Sequence, residues 1–130
     1  MADRQSIAAL LHDTQAGLPH RPRPDELSGV RERGGLIIDT RPIHQRQRDG
    51  ALPGAIVIDR NVLEWRLDPT SPRRIPEADD YDREIVVVCN EGSASSLAAA
   101  SLQSLGLHRA TDLDGGYQAW LRWSRGQRAG

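Results

Sequence analysis

The sequence predicts a single α/β domain built on a parallel sheet, and three observations carry that expectation. Short apolar runs, Leu36-Ile37-Ile38-Asp39 and Ile85-Val86-Val87-Val88 among them, alternate with segments of helical character along the chain. Such alternation implies βαβ units, in which parallel strands lie side by side with helices on the faces of the sheet. The length, 130 residues with 38% of them hydrophobic, suits one core and leaves no room for a second.

Taken in order, the elements read as follows. Met1 to Leu18 carries a weak helical period, with Ile7, Leu10 and Leu11 on one face. The run Pro19-His20-Arg21-Pro22-Arg23-Pro24 breaks any helix, because proline removes a donor and clashes with the preceding turn. Residues 1–17 therefore read as an extension, helical in pattern, residues 18–124 as the folded domain and residues 125–130 as a tail. Pro24-Asp25-Glu26-Leu27 opens a short helix, with its acids placed for the dipole, and Gly34-Gly35 ends it. Leu36 to Asp39 is a buried strand, and Pro42 suits the first position of another short helix. A turn at Leu52-Pro53-Gly54 leads to a strand over Ala55 to Ile58, and Asn61 to Arg66 reads as a short helix with Trp65 on its packed side. The charged stretch from Asp68 to Asp82 reads as a solvated loop.

Ile85 to Val88 is the strongest strand, β-branched at every position. The clearest helix runs from Ser95 to Leu105, with Leu97, Ala98, Leu102 and Leu105 sharing a face, Ser95 able to cap its start and Gly106 at its stop. Ala110 to Leu113 is a last short strand, Gly115-Gly116 a turn, and Tyr117 to Arg125 a closing helix whose Trp120 and Trp123 pack on the sheet.

Composition excludes several functions. The longest apolar run near the middle, Ile85 to Cys89, is far shorter than the roughly 20 residues a spanning helix needs, so no membrane partner is expected. With no secretory pattern at the start of the sequence, a cytoplasmic location is the expectation. A net charge of -1 gives no basic excess for nucleic acid. All 17 basic residues are arginine, in line with a biased coding composition. A single cysteine rules out an internal disulfide and a cysteine-based zinc cluster. His12, His20, His44 and His108 lack ligand spacing and read as surface residues.

That single cysteine, Cys89, stands where a buried strand ends, and the small-residue loop Asn90-Glu91-Gly92-Ser93-Ala94 leads from it into a helix near Ser95. Ligands of open α/β sheets bind beyond the carboxyl ends of the strands. Successive backbone N–H groups of such a loop can turn inward as an anion-binding nest, and the helix adds its own unpaired N–H groups and positive dipole end. That field would stabilise a thiolate and hold a bound anionic sulfur species. The competing reading is an inert cysteine packed as a small hydrophobe.

Four motifs resemble those of rhodanese-like sulfurtransferases. Cys89-x-x-Gly92 after an apolar strand resembles the active-site loop of that family, and Asp39-Thr40-Arg41 resembles its Asp-x-Arg. Gly50-Ala51-Leu52-Pro53-Gly54-Ala55 is similar to its Gly-His-Ile-Pro-Gly-Ala element, and Gly115-Gly116-Tyr117-Gln118-Ala119-Trp120 to its closing Gly-Gly-aromatic-x-x-Trp. The resemblance implies a central five-stranded parallel sheet flanked by helices on both faces, and a Cys89 that accepts sulfane sulfur as a persulfide. It implies a small sulfur donor and a thiol or protein acceptor, with no metal or organic cofactor. Asn90, Glu91, Gly92, Ser93, Ala94 and Ser95 would form the sulfur cradle, Ser93, Ser95 and Ser96 could steady a terminal sulfur, and Asp39 and Arg41 would brace the site.

Three positions depart from the pattern. Ala94 stands where the family commonly has arginine, which removes a fixed cation able to grip the oxyanion end of thiosulfate. Glu91 adds a negative charge that should repel a dianionic donor, and Ala51 replaces the family's histidine. Efficient use of thiosulfate is not expected, and an idle, protein-binding form of the domain is the alternative reading. A phosphatase loop would want arginine at the sixth position after the cysteine, which here is Ser95.

Overall fold

The computed structural model describes residues 3–129, so Met1, Ala2 and Gly130, at the ends of the expected extension and tail, lie outside the described residues. Four strands, β1 (Leu36–Asp39), β2 (Ile56–Val57), β3 (Ile85–Val88) and β4 (Ala110–Asp112), form one sheet among these residues. The order is β2-β1-β3-β4 and every pair is parallel, with Ile38 opposite Val87 and Ile56, and Val86 opposite Thr111. Six α-helices, α1 (Ile7–Gly17), α2 (Leu27–Glu32), α3 (Ile43–Asp49), α4 (Leu63–Leu67), α5 (Ala94–Ser104) and α6 (Gly116–Ala129), accompany it.

Successive side chains of a strand point to opposite faces, and a sheet covered on both needs apolar residues at every position. Strand β3 meets that demand throughout, and β1 meets it from Leu36 to Ile38, before the buried Asp39. Leu36, Ile38, Ile85 and Val87 pack with Leu63 and Leu67 of α4 and with Ala98, Ala99 and Leu102 of α5. Ile37, Val86 and Val88 pack on the other face with Leu27 and Val30 of α2 and Tyr117 of α6.

The sheet has four strands among the described residues, not the five that the resemblance implied, and the segment flanking its β4 edge carries Pro19, Pro22 and Pro24. The segment before α2 runs along the free edge of β4, where the Thr111 hydroxyl donates to Pro19 O and the Asp114 amide to Pro22 O. Proline has no N–H to return, so no ladder forms. The segment lies beside the sheet without joining it.

Other boundaries shift for local reasons. Helix α1 is capped by the Ser6 hydroxyl, which accepts from the Ala9 amide, and it packs against α5. Pro42 sits one residue outside α3, at its N-cap. Helix α5 begins one residue early, at Ala94, with Ser93 at its N-cap. Ala99 is buried in the helix, whereas Leu105 lies just beyond its end, at the C-cap, and is exposed, which corrects the expected face. Helix α6 continues past Arg125 to Ala129, through residues the sequence pattern assigned to a tail. The loop after α4 is not wholly solvated, since Ile75 and Ala78 drop into the core. Trp65 is 58% exposed, so its expected packed side is in fact open. All four histidines are exposed. No helix of the described residues is long and apolar enough to cross a membrane.

Candidate active site

From β1 the chain crosses to β2 on one side, while β3, on the other side of β1, is followed by β4. Between strands that diverge in this way the loops part and leave a crevice at their carboxyl ends. A cleft of about 520 Å³ lies there. Thr40, Arg41, Pro42 and Gln45 line it after β1, Arg60 after β2, and Cys89, Asn90, Glu91, Ser93 and Ala94 after β3.

Cys89 borders the cleft while only 8% exposed, and its sulfur is the point on which the loop closes. Sγ accepts from the amides of Gly92 at 3.2 Å and Ser95 at 3.3 Å. Ser95 is the second residue of α5, so its amide belongs to the first turn, whose N–H groups have no partner inside the helix. Gly92 reaches its position with φ +87°, a backbone that side chains rarely adopt. Ser95 does not cap the helix as its sequence position suggested. Its hydroxyl turns inward, 3.1 Å from Sγ and 2.7 Å from Asp112 Oδ2. Glu91, Ser93 and Ala94 stand exposed on the rim. Asn90 is held to α6, its side chain and carbonyl accepting from the Gln118 side chain and amide.

The Gly115-Gly116 turn explains itself against this loop. The Tyr117 amide donates to Cys89 O at 2.8 Å, which draws the start of α6 onto the backbone of the cysteine loop. A Cβ on Gly116 would lie 2.6 Å from Gly92 N and 2.7 Å from Cys89 O, and one on Gly92 would lie 2.8 Å from Gly115 N. Only glycine permits this approach.

Asp39 and Arg41 form a buried pair beside the site. Arg41 Nη2 lies 2.8 Å from Asp39 Oδ2, and its amide donates to Oδ1 at 3.0 Å. Nη2 also donates to Gly50 O at 3.0 Å, and the guanidinium lies 3.5 Å over the Tyr117 ring. The Tyr117 hydroxyl in turn donates to Asp49 O at 2.7 Å. The pair therefore ties the end of β1 to the end of α3 and the start of α6. Its geometry is that of a brace.

Sequence reasoning missed five residues of the site. Asp112, fully buried on β4, receives the hydroxyls of Ser95 and Ser96, both at 2.7 Å on Oδ2, and the Arg21 Nε at 2.7 Å on Oδ1. Arg21 comes from the proline-rich edge segment, and its Nη2 also donates to Gly92 O at 3.1 Å. Burial pulls the Arg21 guanidinium down, yet the hydrogen bond and charge of Asp112 outweigh it and leave it above the ordinary arginine value. Gln15, on α1, donates to the Ser96 hydroxyl at 3.1 Å. Arg60 stands at the far rim, paired with Glu64 at 2.9 Å. Burial raises the Glu64 carboxyl, but the Ser101 hydroxyl and the Arg60 charge more than offset it, and Glu64 ends below its ordinary value. One signal was readable. An aspartate in a strand expected to be buried demands a partner, and an arginine near the edge could have been sought.

Comparison with known proteins gives the following. The profile of the rhodanese-like domain matches residues 23–122. The thiosulfate sulfurtransferase GlpE of Pseudomonas fluorescens Pf-5 is 31% identical over 97 residues, spanning 75% of this chain and 80% of that protein. Among solved structures, a Rhodopseudomonas palustris protein described as of unknown function and a possible tyrosine phosphatase has a TM-score of 0.80 at 27% identity, covering 95% of each chain. The human single-domain sulfurtransferase TSTD1 has a TM-score of 0.62 at 25% identity, over 78% of this chain and 95% of that one.

The glycine turn is directly testable. Gly116→Ala should cost about 2 kcal/mol or more, because a side chain would meet both an unfavourable φ and the loop backbone. Denaturant unfolding measures it, and a loss below about 0.5 kcal/mol would show that the two loops do not meet as described.

Proposed function

The chain belongs to the rhodanese-like domain family, and on that premise we propose that it transfers sulfane sulfur through a persulfide on Cys89. The observation that carries the reading is the pair of amides aimed at Sγ from Gly92 and Ser95, at the floor of an open cleft. The Cys89 thiolate attacks the outer sulfur of a donor, a new Sγ–S bond forms, and the donor's S–S bond breaks with its electron pair leaving on the donor remnant. With thiosulfate that remnant is sulfite. The persulfide's outer sulfur then lies over the loop, where main-chain N–H groups and the α5 dipole favour negative charge. An acceptor thiolate takes that sulfur and returns Cys89 as thiolate. Each step moves one electron pair between sulfurs, so a general base is not required.

The surroundings favour a donor of lower charge than thiosulfate. Arg41 and Arg60, the two arginines lining the cleft among the described residues, are already matched by Asp39 and Glu64, and Glu91 adds a further negative charge at the rim. An organic persulfide, with one negative charge, suits such a site better than a dianion. Phosphoryl transfer receives no comparable support, because Ser95 occupies the position at which a phosphatase loop grips phosphate with arginine.

Incubation with an organic persulfide should add the mass of one sulfur to the protein. Reduction should remove it, and Cys89→Ser should abolish it. A folded wild type that never takes up sulfur would instead be an idle, protein-binding form of the domain. Thiosulfate turnover with cyanide should be weak, and Ala94→Arg should lower the KM for thiosulfate severalfold by supplying a guanidinium in the loop. Brisk wild-type turnover at sub-millimolar thiosulfate would overturn the charge argument.

A further inference from the structure

We propose that the open face of α4 is a docking groove for an acidic segment of a protein sulfur acceptor, which seats an aliphatic side chain on Trp65 while its thiol enters the Cys89 cleft. The inference rests on the sulfur-transfer reading and names the kind of acceptor it serves. Helix geometry leaves Trp65 outside. Leu63 and Leu67, four positions apart, share the buried face of α4, so Trp65, two positions from each, is carried to the opposite side. An indole left in water forgoes the burial that its large apolar surface would gain. A single exposed apolar residue is ordinary, but Val62 is exposed as well. The two share a groove of about 690 Å³ with Asn61, Arg66 and Arg73.

The charge of the groove says what would fill it. Arg66 and Arg73 are its only charged lining residues among the described residues. Arg66 Nη1 donates to Arg73 O at 2.6 Å, and neither guanidinium has a carboxylate partner among the described residues. In the cleft, by contrast, Arg41 and Arg60 are both matched. Glu64 and Asp68, in a second hollow that borders Trp65, are already engaged, Glu64 by Arg60 and the Ser101 hydroxyl and Asp68 by Thr70. Tryptophan and arginine are also the residues in which protein interfaces concentrate binding energy. Position supplies the link to Cys89. Arg60 lines the cleft, and Asn61 and Val62, the next two residues of the same turn, line the groove. Asp59 fixes that turn by accepting from the Asn61 amide at 2.7 Å. The two hollows share one wall, and a chain crossing it places one residue at Cys89 and another against Trp65. A small donor fills the cleft alone. In the transfer the acceptor thiolate attacks the persulfide's outer sulfur, a new S–S bond forms, and the electron pair of the broken bond returns to Cys89 Sγ.

The test uses a peptide in which glutamates and leucines flank a cysteine, and a copy with lysine for every glutamate. Fluorescence anisotropy of the same peptides with serine for cysteine measures docking with no sulfur transferred. The acidic peptide should bind the wild type roughly tenfold or more tightly than the basic one, and Trp65→Ala and Arg73→Glu should each remove most of that advantage. Both side chains are exposed, so neither change should disturb the fold. From the Cys89 persulfide, the rate of transfer to the acidic peptide relative to free cysteine should fall by roughly tenfold in the same variants. Equal binding of the two peptides, no binding, or binding indifferent to Trp65→Ala would overturn the proposal. So would self-association of the wild type that Trp65→Ala abolishes, which would give the groove to a second copy of the chain. A protein that passes sulfur to free cysteine without preferring the acidic peptide would refute the docking alone. One that docks the acidic peptide yet takes up no sulfur would refute the sulfur-transfer reading, and with it the acceptor role, while leaving the groove a docking site.

Discussion

Two main-chain amides converge on one sulfur atom, and most of the architecture around the cleft serves to keep them there. The chain leaves β3 at Cys89, turns about Sγ and returns with the second amide of α5, six residues on. That path needs Gly92 at positive φ, and it leaves the carbonyls of Cys89 and Asn90 outside the turn. Both carbonyls are taken by the second and third amides of α6, from Tyr117 and Gln118. The close seating requires the adjacent glycines, and Tyr117 is fixed in turn by the Arg41 guanidinium and Asp49 O. Motifs far apart in sequence are therefore one mechanical unit.

The electrostatics are as constrained as the geometry. Each arginine near the sulfur has a carboxylate of its own: Arg21 with Asp112, Arg41 with Asp39, and Arg60 with Glu64. The side chains thus offer little free positive charge to a ligand. What remains is the field of the loop amides and the α5 terminus, which is short in reach and suited to a single sulfur-borne charge. Glu91, exposed on the rim, adds a further negative charge to these surroundings.

How much of this was legible in the sequence follows from the range of the interactions involved. Strands β1 and β3 were plain because burial on both faces gives Leu36 to Ile38 and Ile85 to Val88 unbroken apolar runs. The cysteine loop was plain because a strand, small residues and a helix follow one another without interruption. The fifth strand came from the family resemblance alone, whereas the pattern of apolar runs offered the four strands that form the sheet. The role of Ser95 was misjudged because capping is a local rule, whereas its true partner, Asp112, lies across the sheet on β4. Arg21, Gln15 and Arg60, which lie 68, 74 and 29 positions before Cys89, reach the site through folding alone, across loops whose paths no local pattern specifies.

The central claim concerns where sulfur goes when Cys89 takes it up. A crystal structure of the protein after treatment with an organic persulfide would test it most directly. The account predicts an outer sulfur bonded to Sγ, lying over the Asn90-to-Ala94 loop within hydrogen-bonding reach of its amides, with the Ser95–Asp112 contact unchanged. An unmodified Cys89, or an outer sulfur turned away from those amides, would contradict it.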